Sequence, residues 1–379
     1  MISIVMRGMQ IGTYELNINN VVKMFSGYLQ IQRINYQSNP SIQLRFPYDD
    51  NLKSKLKSES SIIGYSPRVY GDGLVSFKDN SLGATIFGID PATEYKVTDL
   101  QKKLNAGKFF ESDSTDEVVV GYKLLKNLNA SIGDKVVLLA QGYDGSLGNI
   151  LVRISGTVKT GSPEFDGMAI FIGLSTAQYL LGLEGNVHAV AISLQSLDQV
   201  NHLQKKLSKI IDTKYLAILP WDEVNVELKQ HLQMDNISGI FFLAILIIIV
   251  AFGILNTVLM SVTERFREFG VSLSIGMPQL KLVYVVFIES IFITVIGVVF
   301  GNLIGAGINY YLVLNPIEIG GEFGDLYSEF GFLPVIISTL RLHIFVNSTL
   351  SIVGVTILSC LYPAYKVFKL EPLKGLGHT

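Results

Sequence analysis

Three long apolar stretches dominate the hydrophobic pattern in the second half of the chain. Residues 237–262 and 344–365 contain no Asp, Glu, Lys or Arg, and residues 282–317 contain only Glu289. A helix of roughly 20 apolar residues crosses the hydrocarbon core of a bilayer. The pattern therefore predicts three spanning helices, at about 237–262, 282–314 and 344–365, and the second is long enough to tilt or to project beyond the lipid.

The charged residues that flank these stretches predict their orientation. The loop between the first two stretches and the C-terminal tail each carry three Lys or Arg residues, whereas residues 318–343 carry four acidic residues and one Arg. Lys and Arg accumulate in cytoplasmic loops. We therefore expect the first loop and the C-terminus to face the cytoplasm, and everything before residue 237 to lie outside.

The residues before the first stretch combine two other patterns. Strand-like runs rich in β-branched residues lie at 27–33, 117–122, 134–141, 150–158 and 188–194. Residues 175–183 and 196–212 have the apolar spacing of amphipathic helices. This combination predicts a mixed α/β extracytoplasmic domain over residues 27–218.

The N-terminal residues have the pattern of a helix. Ile2, Val5, Met6 and Met9 share one side at helical spacing, but the apolar run before Arg7 is too short to cross a bilayer. Because the outer domain must be exported and no signal peptide is present, we interpret residues 1–26 as the end of a truncated first span and an exit helix. The alternatives are a misassigned start codon and a short interfacial helix.

A connecting segment follows the outer domain. Residues 219–236 read as an amphipathic helix that continues into the first span, an arrangement that would act as a lever. Trp221, the sole tryptophan, opens it. We interpret Trp221 as an anchor in the core of the domain rather than as a ligand contact.

Composition and charge exclude several classes of function. With 49% hydrophobic and only 16% charged residues the chain is too apolar for an ordinary soluble protein, and a net charge of −2 gives no reason to expect a nucleic-acid partner. Cys360 is the single cysteine, so no intramolecular disulfide can form. No Walker, H-E-x-x-H or G-x-S-x-G motif is present. We expect a non-catalytic chain without its own cofactor or metal site.

The loop after the first span has the composition of a docking element. Its sequence, TERFREFGVSLSIGMPQLKL, interleaves acidic and basic residues, whereas membrane anchoring needs only basic ones. A short second helix is predicted, broken at a glycine and restarted near Pro278. The residues that we predict to contact a partner are Glu264, Arg265, Arg267, Glu268, Gly270 and Gly276.

The second span carries two further features. Gly297, Gly301 and Gly305 recur every four residues and would expose bare backbone on one helix face, which permits close helix packing in lipid. The alternative is that apolar helices are simply rich in glycine. Glu289 lies about two turns from the cytoplasmic entry of this span, so a role near the interface or in helix packing is expected rather than proton relay.

These residues resemble a known family. The loop TERFREFGVSLSIGMPQLKL is similar to the cytoplasmic loop of the MacB, LolC/LolE and FtsX group of ABC transporter permeases. The segment CLYPAYKVFKLEPLKGL is similar to the end of their last span, with Pro363, Ala364 and Pro372 in the expected places. IFGIDP at 86–91 resembles part of their outer core domain. The N-terminus departs from the family pattern, because a first span is absent.

The resemblance implies a fold and a set of partners. It implies an α-helical membrane protein with three spans present and a fourth N-terminal one missing, plus an α/β domain of the MacB core-domain type, with residues 237–379 forming the FtsX-like permease domain. It also implies a multi-pass protein of the bacterial inner membrane, paired with a second copy or a paralogous permease. ATP and Mg²⁺ would be bound by a separate cytoplasmic ATPase under the loop.

Two classes of function remain open. The first is transport, as lipoprotein release from the inner membrane, with a periplasmic carrier or lipoprotein as partner, or as MacB-like efflux of small molecules or peptides. The second is signalling by an FtsX-like regulator of a cell-wall hydrolase. The size of the outer domain favours transport, and lipoprotein release is the preferred form.

Overall fold

The computed structural model describes residues 1–329 and 332–369. The chain divides into two compact units. Of the described residues, the membrane unit contains 1–15, 232–318 and 335–369, and the outer unit contains 16–231, 319–329 and 332–334. Each unit is described by itself below.

The helices of both units follow in chain order. They are α1 Ile2–Val21, α2 Asp50–Lys57, α3 Pro91–Glu94, α4 Tyr122–Leu128, α5 Leu174–Leu181, α6 Val200–Ile210, α7 Trp221–Val224, α8 Val226–Glu264, α9 Phe266–Ser274, α10 Gln279–Leu314, α11 Gly321–Glu329 and α12 Leu342–Phe368. A π-helical turn, Val22–Ser26, follows α1.

The strands are mostly in the outer unit. They are β1 Leu29–Arg33, β2 Phe46–Pro47, β3 Ile62–Phe77, β4 Asn80–Ile89, β5 Leu104–Gly107, β6 Glu117–Gly121, β7 Lys135–Gln141, β8 Leu147–Val158, β9 Ala169–Gly173, β10 Asn186–Val187, β11 Ala189–Leu194 and β12 Leu216–Pro220. In the membrane unit, β13 Ile317–Glu318 pairs with β14 Val335–Ile336.

One ten-stranded sheet organises the outer unit. Its order is β12-β1-β11-β3-β4-β9-β6-β8-β5, and β7 pairs with both β3 and β8. The β4–β9 and β6–β8 pairs are parallel and the other pairs are antiparallel. The predicted strands at 27–33, 117–122, 134–141, 150–158 and 188–194 are confirmed as β1, β6, β7, β8 and β11.

Amphipathic helices close the core of the outer unit. Leu203 and Leu207 of α6 are fully buried in the cluster that also holds Ile31 of β1, as their helical spacing predicts. α5 ends at Leu181 and is capped by Gly182, which adopts a left-handed conformation with φ +65°. Glycine adopts this conformation at little cost in free energy. The predicted mixed α/β domain is therefore confirmed.

A charged pair is buried inside this unit. The Arg68 and Glu94 side chains are 0% and 1% exposed and form an ion pair at 2.6 Å between Nη2 and Oε1. Burial alone would lower the pKa of the Arg68 guanidinium, but the Glu94 carboxylate outweighs burial and raises it. Thr98 Oγ1 donates to Glu94 Oε1 at 2.7 Å, so the carboxylate is further satisfied. The pair stays charged inside the core because each group has its partners.

Two predicted boundaries of the outer unit need correction. The helix expected from Leu219 begins only at Val226. Leu219 and Pro220 are the last residues of β12, and Asn225 separates α7 from α8 because it leaves the helical conformation. Residues 319–329 and 332–334, which we predicted to lie in the permease domain over residues 237–379, contain α11 and belong to the outer unit. There the backbone N–H of Leu333 donates to Asn17 Oδ1 at 2.8 Å.

The membrane unit contains the three predicted spans. Among the described residues, α8, α10 and α12 are the helices long and apolar enough to cross a membrane. The first fifteen residues, most of them in α1, pack in the same unit. The side chain of Asn309, which is fully buried, donates to the carbonyl of Ile4 at 3.2 Å and accepts from Ser338 Oγ at 2.9 Å. Polar groups inside this unit are thus joined by hydrogen bonds between helices and loops.

Candidate functional site

Local sequence fixes two sharp turns around α9. α8 ends at Glu264, and Arg265 leaves the helical conformation with φ −100° and ψ 10°. After Ser274 the chain reverses through Gly276, whose φ of +97° favours glycine over any residue with a side chain. Pro278 then caps α10, where its missing N–H costs nothing. The predicted short helix and its break at Gly276 are confirmed.

An apolar cluster anchors α9 to the surrounding spans. Phe269 of α9 is buried with Val262 of α8, Leu282 and Val286 of α10, and Val367 of α12. Gly270, next to Phe269, is buried on the same helix. Because four helices contribute to one cluster, α9 is held firmly rather than as a free loop.

The charges of the loop divide into two groups. Arg265 donates through Nε to Glu268 Oε2 at 3.0 Å and through Nη1 to Glu289 Oε2 at 2.9 Å. Glu264 and Arg267 are exposed and form no ion pair with the described residues. The four charged residues that we predicted to contact a partner are therefore not equivalent, because Arg265 and Glu268 already form ion pairs within this chain.

The Arg265 contact also accounts for Glu289. A lone carboxylate in a span is costly unless it is paired or hydrated. Glu289 faces Arg265 near the end of the span and keeps 43% of its side chain exposed. The expectation of a role near the interface or in helix packing fits this geometry. No sequence pattern indicated that Arg265, which lies 24 residues earlier, would be the partner of Glu289.

The exposed side of the segment mixes charged and apolar groups. Ile275 is 82% and Leu280 69% exposed, and Val271 and Met277 are also exposed. We define the α9 surface as the exposed residues Glu264, Arg267, Val271, Ile275, Met277 and Leu280. The apolar members of this surface were not identified as candidates from the sequence, although Val271 and Ile275 lie between Gly270 and Gly276 in the charged loop.

The three glycines of α10 have different surroundings. A Cβ at Gly305 would lie 3.2 Å from the Ile4 side chain, and one at Gly301 would lie 3.3 Å from the backbone nitrogen of Met1. A Cβ at Gly297 would have no atom of the described residues within 4 Å apart from its chain neighbours and the nearby backbone of α10. Within this unit the glycine face is thus used at two of its three positions. Closer contacts occur at Gly8 and Gly12 of α1, which were not singled out.

The remaining predicted positions lie elsewhere. Pro363 and Ala364 are buried within α12, whereas Pro372 lies outside the described residues. Trp221 is partly buried and packs against the main core of the outer unit, as expected for an anchor. In the part of the chain that the structure describes, no group of three or more His, Cys, Asp or Glu side chains could hold a metal ion.

Comparisons with known proteins match both units. A family model for the MacB-like periplasmic core domain matches residues 1–210, and one for the FtsX-like permease C-terminal domain matches residues 240–372. A solved periplasmic region of MacB from Actinobacillus actinomycetemcomitans is 16% identical, covers 56% of this chain and 97% of that chain, and has a TM-score of 0.41.

Curated relatives carry related names. The lipoprotein-releasing system transmembrane protein LolC of Neisseria meningitidis is 21% identical over 338 residues, covering 86% of this chain and 81% of LolC. The macrolide export ATP-binding/permease protein MacB of Bdellovibrio bacteriovorus is 23% identical over 385 residues, covering 95% of this chain but only 53% of MacB, so the chain spans about half of that protein. ABC transporter permease YtrF of Bacillus subtilis is 33% identical over 146 residues, covering 37% of this chain and 32% of YtrF.

The two family matches together account for most of the chain, and the first alone covers more than half of it. Membrane-spanning helices and a MacB-like outer domain are the features of an inner-membrane permease. The chain belongs to the family of ABC transporter permeases that join a MacB-like periplasmic core domain to an FtsX-like permease domain.

Proposed function

We propose that this chain is the permease subunit of an ABC transporter of the mechanotransmission type, and that a separate cytoplasmic ATPase docks on the α9 surface. The observation that carries the proposal is that α9 has one buried side and one exposed side. One side is fixed by the cluster around Phe269, and the other side exposes Ile275 and Leu280 together with Glu264 and Arg267, which form no ion pair with the described residues. An exposed apolar patch flanked by charges is typical of a protein contact.

The route for movement would be α8. It is a single helix from Val226 to Glu264, roughly 58 Å long at 1.5 Å per residue. It begins directly after α7 of the outer unit and ends one residue before α9. The apolar cluster around Phe269 would hold the Glu264 end of α8. The helix would then transmit the movement of a docked ATPase toward the outer domain. No such step needs a cofactor on this chain, since ATP and Mg²⁺ would be bound by the ATPase.

This proposal includes an orientation and an assembly. The α9 surface and the C-terminus would face the cytoplasm, as the distribution of Lys and Arg indicates. Two permeases, either copies or paralogues, would share one ATPase dimer. In membranes, single cysteines introduced at Ile275 and at Asp79 of the outer unit, in a chain with Cys360 replaced by alanine, should be labelled from opposite sides. Labelling of both from the same side would contradict this orientation.

The substrate proposed is a lipoprotein released or exported from the inner membrane. LolC, named as part of a lipoprotein-releasing system, is matched over 86% of this chain and 81% of its own length. The second candidate is efflux, which the match of residues 1–210 to the MacB-like core domain favours. Purification of the chain from its native membrane should bring down an ATPase with lipoproteins or their carrier. An ATPase accompanied by a cell-wall hydrolase would replace both candidates with a signalling role.

Charge reversal tests the docking site directly. Glu264→Lys and Arg267→Glu, made separately, should each reduce the ATPase recovered per permease by roughly fivefold or more, because each removes one charge from an exposed contact. Glu111→Lys and Lys209→Glu, exposed on the outer unit, are the matched controls and should change nothing. Normal recovery of the ATPase with both α9 variants would reject docking on this surface.

A further inference from the structure

A second feature with the character of a binding site lies in the outer unit. A cavity of about 540 Å³ opens between β1, the loop after it, and the β3–β4 hairpin. It reaches Val224 and Asn225, the residues that connect α7 to α8. Gln37 Nε2 from the cavity loop donates to the carbonyl of Val224 at 2.9 Å. Its volume is sufficient for a small organic ligand.

A chain of amides at the cavity ends in an unused acceptor. Gln30 Nε2 donates to the carbonyl of Ser26 at 2.7 Å, and Gln32 Nε2 donates to Gln30 Oε1 at 2.8 Å. The carbonyl of Ser26 can only accept, so it fixes the orientation of both amides. Gln32 is 2% exposed, and its Oε1 has no hydrogen-bond partner among the described residues. A buried acceptor left unpaired is costly, so this position calls for an N–H or O–H donor.

Aromatic rings form the wall of the cavity. The rings of Tyr36 and Tyr70 are stacked with centroids 6.2 Å apart, and Phe87 meets Tyr70 edge-on at 5.9 Å. His188 stacks on Tyr36 at 5.4 Å from behind, and burial lowers its pKa to about 4, which keeps this support neutral. Aromatic faces of this kind attract flat rings and organic cations.

The charge at the cavity is acidic. Among the described residues that line it, Asp72 is the one with a charged side chain. Asp72 is exposed, and one of its carboxylate oxygens accepts from Thr85 Oγ1 at 3.1 Å. The nearby Arg68 is neutralised by Glu94. An ammonium group would therefore be favoured here over a carboxylate.

We propose that this cavity binds small amines that carry an aromatic or apolar body. The ammonium group would lie beside Asp72, the body would contact Tyr36, Tyr70 and Phe87, and a second N–H or O–H group would reach Gln32 Oε1. Loss of ATPase docking at α9 would leave this site intact, so the two proposals can fail separately.

Ligand-observed NMR on the full chain in lipid nanodiscs tests the site with tryptamine as probe. Tryptamine offers an ammonium group, an aromatic body and a ring N–H. It should bind saturably, and indole-3-acetate, which replaces the ammonium with a carboxylate, should bind at least about tenfold more weakly. Absence of saturable tryptamine binding, or equal binding of both probes, would overturn the proposal.

Variants assign the binding to named groups. Asp72→Asn should weaken tryptamine binding by about tenfold, whereas Asp79→Asn, the same change at the exposed tip of the β3–β4 hairpin, should leave it unchanged. Gln32→Met should also weaken binding. Because Gln32 is buried, Asp72→Asn is the deciding variant if Gln32→Met fails to fold. Unaltered affinity in Asp72→Asn would show that tryptamine binds elsewhere and would refute the assignment.

Discussion

The outer unit and the membrane unit differ in where they place their large apolar side chains. In the outer unit Ile31 and Phe171 are fully buried, and polar side chains are mostly at the surface. In the membrane unit Ile249 and Phe252 are 66% and 67% exposed, whereas Asn309 is fully buried. Exposure of apolar side chains to water is unfavourable, so they are buried in the outer unit. Exposure of the same side chains to lipid has no such cost, so helices in lipid associate through small residues and hydrogen bonds. One chain thus contains both solutions.

The two units also treat charge differently. The outer unit buries Arg68 and Glu94 against each other inside the core. The membrane unit pairs Arg265 with Glu289 while leaving 38% and 43% of the side chains exposed. The free-energy cost of desolvation is therefore large for the Arg68–Glu94 pair and small for the Arg265–Glu289 pair. Removing one partner should matter much more in the outer unit.

The largest effect is expected from Glu94→Gln. It leaves the buried Arg68 guanidinium without its counter-charge, which should lower the free energy of unfolding of the outer unit by about 3–5 kcal/mol. Denaturant unfolding of the full chain in detergent, followed by the fluorescence of Trp221, measures the change. The double variant Arg68→Met/Glu94→Leu should recover most of the loss. Equal stability of wild type and Glu94→Gln would show that the pair contributes little.

A smaller effect is expected from overpacking in the membrane unit. A Cβ at Gly12 would lie 2.6 Å from backbone atoms of Ile337 and Ser338, which cannot move aside easily. Gly12→Leu should destabilise the unit by about 1–3 kcal/mol, seen as earlier loss of monodisperse protein on heating in detergent. Gly297→Leu, with open space around it, is the matched control. Equal tolerance of both would mean that α1 does not pack as described.

Near neutral pH, the smallest effect is a pH dependence from His188. Burial lowers the pKa of folded His188 to about 4, below the value near 6.5 of an unfolded histidine. Between these values the unfolded chain binds a proton that the folded chain does not. Stability should therefore fall as the pH falls from 6.5 toward 4, by at most about 1.4 kcal/mol per pH unit. His188→Gln should remove this part of the slope, and an unchanged slope would contradict the assignment.

Much of the architecture could be predicted from the sequence, because the strongest signals are local. Charge-free runs located α10 and α12 to within a few residues, and the run at 237–262 lies inside α8, which begins earlier, at Val226. Periodicity located α5 and α6, and runs of β-branched residues located β1, β6, β7, β8 and β11. The strands β3, β4 and β9, at the centre of the sheet, were not predicted. The glycine and proline around α9 predicted its turns.

The long β3–β4 hairpin was missed for a physical reason. Its first strand contains Gly64, Pro67, Gly71 and Gly73, which are usually read as breaks. Pro67 is tolerated because it pairs only with β11, and the ladder to β4 starts one residue later, at Arg68. Pairing between strands, not local propensity, decides such a segment.

The contacts of the candidate sites could be predicted only in part. Sequence identified the charged loop, but it could not show that Arg265 bonds to Glu289 or that Ile275 is exposed. The cavity of the outer unit joins Gln32, Asp72 and Val224, which are far apart in the chain. Such sites form only when the chain folds, and no short sequence motif indicates them.

Photocrosslinking from Ile275 tests the central claim most directly. A photoreactive phenylalanine analogue at Ile275, which is 82% exposed on the α9 surface, should crosslink the permease to its ATPase in native membranes. The same analogue at Ile63, exposed on the outer unit, should give no such product. A strong ATPase crosslink from Ile275 alone is the predicted result. An ATPase crosslink from neither position, although the ATPase co-purifies with the permease, would contradict docking at α9.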